Sequence, residues 1–212
     1  MLKRYFAIIF VLLTAVVGCS SPKSASKENF KKAINAYYVK KQVYIFDTSV
    51  TNNFKFPVKI KTDMFTNNLI DSYQALVSAN LLSVKDTSVK EDVLLFGKGG
   101  KRTVPVKEYE LTDNGKKYYK EAATTNMITG NLNGFIVGQP EVIEVTSYTE
   151  PADSAGVKIS NVSYKVKVSN IPEWAKKSEV YTSYPNIKKY LDPSIDAQIT
   201  LILKNDGWVV AE

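Results

Sequence analysis

Two-residue alternation in the carboxyl half of the chain constrains its fold more than any other feature. Val162, Tyr164, Val166 and Val168 share one parity of a long stretch beginning at Val157, while Val157, Ile159 and Asn161 occupy the other. Successive strand side chains point to opposite faces of a sheet, so this pattern predicts a strand over Val157 to Val168. The change of parity near Ser160 to Val162 predicts a bulge there. Val142 to Thr149 and Ile199 to Leu203 carry the same β-branched alternation, and Asn205-Asp206-Gly207 predicts a turn into Trp208-Val209-Val210. Between the strands, Pro172 to Ala175 and Ser183 to Leu191 read as short helical pieces, the second with Pro185 in its first turn. The expectation is an antiparallel sheet with one or two small helices.

The amino half mixes the two periods. After Ser26, a good N-cap, Phe30, Ala33, Ile34, Tyr37 and Tyr38 recur at helical spacing and predict a helix from about Lys27 to Lys41. Val43 to Phe46 and Phe54 to Ile60 read as strands, with Pro57 arguing for an edge. Thr66 to Ala79 gathers Leu69, Ile70, Tyr73, Leu76 and Val77 on one helical face, and Asn80 suits the left-handed residue that ends it. Leu81 to Val84, then Val93 to Phe96, the Gly97 to Gly100 turn and Thr103 to Leu111 predict a hairpin with room for a third strand, and Thr112 to Asn114 cap a short helix from Lys116 to Ala122. Gly130, Asn131, Asn133, Gly134 and Gly138 interrupt the pattern. The fold class expected is therefore α+β: an amino-terminal subdomain over 28–123, a linker over 124–138 and an antiparallel-sheet subdomain over 139–212.

Tyr73 to Leu82, followed by Tyr109-Glu110-Leu111-Thr112-Asp113-Asn114-Gly115-Lys116-Lys117-Tyr118, resembles the recognition helix, wing and closing segment of winged-helix proteins. The resemblance implies a winged-helix-like amino-terminal subdomain, with an extended proline-containing segment at Asp47 to Lys61 where that family has its second helix. DNA binding would need lysines or arginines to meet phosphates, yet Thr62 to Asn80 contains none and carries Asp63 and Asp71. Nucleic acid is accordingly not expected as a partner.

Chemistry is bounded by what is missing. The chain has one cysteine and no histidine, which excludes an intramolecular disulfide, Ser-His and Cys-His nucleophilic catalysis, and zinc held by imidazole and thiolate. Carboxylates, lysines and oxygen-ligand metal sites remain. Glu91-Asp92, Glu108-Glu110 and Glu141-Glu144 are the close acidic sets, and they read as solvated strand faces with lysines nearby. Asp192 and Asp196 lack the dense ligand spacing of a calcium loop and read as loop caps. No catalytic residue, metal site or cofactor is expected. Among the 13 tyrosines and two tryptophans, most fit core periodicity, whereas Trp174, Tyr181 and Tyr184 lie in a proline-flanked, loop-rich stretch and are the candidates for contact with a partner.

The amino terminus supplies an address. Lys3-Arg4 precede an uncharged apolar run from Tyr5 to Val17, which is too short to cross ~30 Å of hydrocarbon comfortably, and Val16-Val17-Gly18-Cys19 closes it. That ending resembles the lipobox of bacterial lipoproteins. The resemblance implies cleavage between Gly18 and Cys19, lipid on the Cys19 thiol and amino group, and attachment to a membrane through three acyl chains. Removing Lys3 and Arg4 takes 28 basic residues to 26 against 21 acidic ones, a formal +5. Ser20 to Lys27 is serine-rich with Pro22 and reads as a flexible tether between lipid and body. In a Gram-negative cell, Ser20 after the cysteine is compatible with an outer-membrane address facing the periplasm. The function expected is a non-catalytic binding or assembly module with an envelope protein partner. A small-molecule or lipid-binding protein is the first alternative, and a carboxylate-dependent hydrolase of envelope glycans the second.

Overall fold

The computed structural model describes residues 21–47, 53–95, 98–126 and 130–211, so Gly18 and Cys19 lie outside the described residues. Helix α1 (Lys27–Tyr38) starts as its sequence dictates: the Ser26 hydroxyl accepts the Asn29 N–H at 3.2 Å. The chain then forms strands β1 (Val43–Phe46) and β2 (Val58–Lys61) and helix α2 (Asn67–Ser78). Asn80 takes φ 58° just after that helix, in the left-handed region its side chain tolerates. Strands β3 (Leu82–Leu95) and β4 (Lys98–Leu111) pair without interruption from Leu82 opposite Leu111 to Leu95 opposite Lys98. Among the described residues β2 pairs only with β4, so it forms an edge of a three-stranded sheet ordered β2-β4-β3, the position that Pro57 beside it favours.

Helix α3 (Asp113–Tyr118) is capped by Thr112, whose hydroxyl accepts the Gly115 N–H at 2.9 Å. It closes at Tyr118 rather than at Ala122, because the chain passes directly into strand β5 (Tyr119–Asn126). The remainder is β6 (Gly130–Tyr148), β7 (Ala152–Ser154), β8 (Val157–Ser169), a 3-10 turn (Glu173–Lys176), α4 (Ser178–Ser183), α5 (Asn186–Tyr190), β9 (Ile195–Lys204) and β10 (Gly207–Val210). A seven-stranded sheet runs β1-β6-β8-β9-β10, with β5 also on β6 and β7 on β8; every pairing is antiparallel.

Two apolar cores lie along this sheet. One gathers Phe54, Tyr73, Leu76, Tyr109, Phe135 and Trp174 between α2, the hairpin and the helices after β8. The other packs Phe30 and Ile34 of α1 against Val142, Val162, Tyr164, Leu201 and Trp208. Phe30 meets Tyr148 and Trp208 edge-on, each at 4.9 Å between ring centres, an arrangement that aligns positive ring edges with negative faces. Thus α1 serves the second core and does not join α2.

Three expectations change here. The segment expected as a linker is strand at 124–126 and 130–138, and β6 carries Phe135 and Val137 into one core and Val142 and Val145 into the other. Its glycines mark close approaches between strands: a Cβ on Gly138 would stand 2.6 Å from the Ser169 carbonyl. Strand β8 keeps one parity, with Ser160, Val162, Tyr164 and Val166 all buried, and the irregularities fall in its partner β6 between Val142 and Glu144 and between Val145 and Ser147. Ser160 can face inward because its hydroxyl donates to the Thr149 carbonyl at 2.7 Å, so a polar residue stands where the alternation calls for an apolar one.

The third change concerns the tether. Residues 21–26 are held against the body: Asn29 donates its amide to the carbonyls of Ser21 and Ser24, both at 2.9 Å, and Trp208 Nε1 donates to the Lys23 carbonyl at 3.2 Å. Pro22 also lies over Gly207, where a Cβ would stand 3.0 Å from the Pro22 carbonyl oxygen.

Candidate functional site

Among the described residues, a candidate site is a cleft where β1 and β5 flank the start of β6. It begins from the alternation in Val43-Tyr44-Ile45-Phe46: Ile45 turns into the core, and Tyr44 and Phe46 share the opposite face with ring centres 6.0 Å apart. Phe46 pairs with Gly134 on β6, and a Cβ there would come within 3.1 Å of the Phe46 ring and 2.7 Å of the Ile45 carbonyl. Glycine lets that ring lie flat along the strand. On the other side of β6, β5 loses register between Lys120 and Thr124, with Ala122 at φ 46° and its N–H donated to the Asn133 side chain at 3.0 Å. This bulge re-aims Ala123 and Thr124 toward the cleft.

Lys40, Lys41 and Gln42 form the rim and Tyr190 of α5 closes the far wall, around a volume of about 480 Å³. Gln42 accepts the Tyr44 hydroxyl at 2.8 Å, and burial raises the Tyr44 phenol above its ordinary pKa, so it stays protonated and able to donate. The Lys41 ammonium sits 4.8 Å over the ring of Tyr37, which fixes one rim charge. An aromatic floor with cationic and amide donors at its edge can take a flat or extended ligand that carries an anionic group. Two shallower grooves lack that convergence. One, of about 420 Å³ between α2 and α4, has Asp71 and Glu179 and no lysine; the other, of about 320 Å³ between α1 and β10, is lined by Ala33, Ala36, Trp208 and Val210 with one lysine, Lys204.

The aromatic candidates from the sequence fall elsewhere. Trp174 and Tyr184 are each 4 % exposed, packed in the first core, so neither is an exposed contact. Trp174 stacks edge-on with Tyr118, and the Tyr184 hydroxyl donates to the Ser72 carbonyl at 3.2 Å. Proline-flanked helical turns fold back over α2 here and need large rings to fill the gap. Tyr181 is half-buried at the margin of that core. Beneath them, the Tyr73 hydroxyl donates to the Asp47 carboxylate, which also accepts the Phe54 N–H at 3.1 Å; burial and that carboxylate push the Tyr73 phenol far above its ordinary range.

The acidic sets are ion-paired on solvent-facing strands. Lys85 bridges Glu108 at 3.3 Å and Glu110 at 3.0 Å, Lys61 reaches Glu91 at 2.6 Å, and Glu141 and Glu144 face Lys167 and Lys165 at 3.4 and 3.5 Å. Asp192 and Asp196 are exposed. Among the described residues, no group of three acidic, histidine or cysteine side chains is placed to hold a metal ion, and no helix is long and apolar enough to cross a membrane. Comparison with family models, with curated proteins and with solved structures gives no match for this chain.

Sequence reasoning singled out neither Tyr44 and Phe46 nor their rim. The available signal was two aromatics at a spacing of two, three residues after Lys40-Lys41. What concealed the cleft was its other half, since Thr124 and Tyr190 reach it only through the pairing of β5 with β6 and the packing of α5.

Proposed function

We propose that this protein is a lipid-anchored component of a bacterial cell envelope, carried on Cys19 after removal of residues 1–18, and that it acts as a non-catalytic binding or assembly module. Its partner is an envelope protein on the periplasmic side of an outer membrane. The observation that carries the binding role is the Tyr44–Phe46 cleft, in which two half-buried aromatic rings and two lysines converge with no acidic residue among the described residues of its lining. The address rests on the Val16-Val17-Gly18-Cys19 sequence. We read β2, α2, the β3–β4 hairpin and α3 as winged-helix-like in pattern, used for architecture and not for nucleic acid, since α2 carries no basic residue to meet phosphate.

A second reading, binding of a small anionic ligand, is favoured by the size of the cleft, which falls in the 300 to 1,000 Å³ range of ligand sites. Hydrolysis of envelope glycans gains no support from carboxylates already engaged by lysines. The test is a photoreactive phenylalanine analogue in place of Tyr44 in intact cells, with the same analogue at exposed Phe65 as control. A discrete protein adduct from position 44 and not from 65 is expected. Absence of any adduct at 44, with adducts at 65, would overturn the cleft as the contact site.

A further inference from the structure

The amino-terminal segment has a consequence for how the protein stands on its membrane. Pro22 packs over Gly207 at the start of β10, Lys23 accepts from Trp208, and Ala25 accepts from the Tyr148 hydroxyl at 3.3 Å. Helix α1 continues in the same direction, with Lys31 donating to the Ile143 carbonyl, Asn35 accepting the Val142 N–H and Gln139 donating to the Val39 carbonyl. From residue 22 to residue 39 the chain therefore climbs beside β6 from one end of the sheet toward its middle. Ser21 is at the lower end, and only Ser20 separates it from Cys19.

That lower end is defined by two tight turns. Ala155-Gly156, both at positive φ, joins β7 to β8, and Asn205-Asp206 joins Lys204 to its partner Gly207. Around them stand Lys23, Lys158 and Lys204, Asp153 and Asp206, and Val157, an apolar side chain 43 % exposed. The cleft is at the other end. Gly134 beneath Phe46 and the Tyr148–Val162 pair are joined by β6, and β8 runs on from that pair to Val157, a strand path of roughly 60 Å at ~3.3 Å per residue.

We infer that the end of the sheet formed by the Ala155-Gly156 and Asn205-Asp206 turns and Ser21–Lys23 rests directly on the headgroups of a phospholipid bilayer, and that the folded body is itself the spacer that holds the Tyr44–Phe46 cleft away from the membrane. The inference rests on the reading of Cys19 as the anchor. A flexible linker would let the body tumble; one intervening residue does not. The end face has three lysines against two aspartates and is close to neutral, so its placement on the headgroups rests on the anchor and the short connection and not on charge.

The test supplies the anchor chemically, so it is independent of lipidation in the cell. The chain from Cys19 onward has a single thiol, which couples to a maleimide-bearing lipid in vesicles of phosphatidylcholine and phosphatidylglycerol. A fluorescent amino acid is placed at Ser154 or at Lys120, and energy transfer to acceptor headgroups is measured. Transfer at Ser154 should exceed that at Lys120 by at least about fivefold, given a path of roughly 60 Å along the strands. Inserting a Gly-Ser linker of about 12 residues between Ser20 and Ser21, with a reach of roughly 20 Å, should erase most of that difference. Equal transfer at the two positions without the insertion, or a difference that survives it unchanged, would overturn the inference. Loss of membrane association in cells, with the vesicle result intact, would instead count against Cys19 lipidation.

Discussion

Replacing Tyr73 with phenylalanine isolates one buried polar contact in the first core. Tyr73 is fully buried, its ring 5.8 Å from Phe54 and 5.0 Å from Tyr109, and phenylalanine keeps both contacts. The loss is the hydroxyl bond to Asp47. A hydrogen bond to a charged group contributes about 1.5–3 kcal/mol, against about 1 kcal/mol for a neutral one. Asp47 retains the Phe54 N–H at 3.1 Å, so its carboxylate is not stranded, and a cost of about 2 kcal/mol follows, or roughly a thirtyfold rise in the unfolding equilibrium constant. Urea unfolding followed by far-ultraviolet circular dichroism measures it as a lower midpoint at unchanged slope. Tyr184→Phe is the internal comparison, because it removes a neutral bond to the Ser72 carbonyl and should cost about half as much. If Tyr73→Phe unfolds at the wild-type midpoint or above it, Asp47 does not hold the first core through this phenol and the reasoning fails.

Three further outcomes follow from the packing. Gly115→Ala would drive a methyl group into the Leu81 carbonyl, a backbone atom that cannot swing away, so the variant should lose about 3 kcal/mol or fail to accumulate folded, measured by the same urea titration. Gly134→Ala pushes against the Ile45 carbonyl and the Phe46 ring; it should displace Phe46 and abolish photoadducts from position 44, and adducts at wild-type yield would show that the flat ring is not needed. Burial raises the Tyr109 and Tyr119 phenols to about 12, so both stay protonated in the folded state after unfolded tyrosines have begun to ionise at their ordinary value of about 10. Their contribution to stability is complete below about pH 10 and is lost as pH rises toward 12; absorbance at 295 nm should show a fraction of the tyrosines ionising only with alkaline unfolding, and a single normal titration of all of them would contradict this.

Local signals carried much of the fold, and the reasons are visible in particular residues. Ser26, Thr112 and Asn80 mark helix ends because each satisfies or redirects backbone groups within three residues of itself, information held entirely in the local sequence. Strand β8 was legible from its valines, but Ser160 hid its inner face because the bond to Thr149 that permits a buried hydroxyl is long-range. Gly134 and Gly138 read as chain breaks although they lie in the longest strand; what they accommodate is a neighbouring strand, invisible until β1 and β8 are in place. The serine-rich Ser21–Ala25 segment reads as a tether by composition alone, and the groups that hold it, Asn29, Tyr148 and Trp208, are up to the far end of the chain away. The cleft was missed for the same reason, since its walls come from three separated parts of the sequence.

The proposed function and the proposed stance on the membrane both turn on lipidation of Cys19. The most direct measurement is the mass of the amino-terminal peptide of the protein purified from its native membrane. The expected peptide begins at Cys19 and carries a diacylglyceryl thioether and an amide-linked acyl chain. A peptide beginning at Met1, or one beginning at Cys19 with a free thiol, would contradict the account.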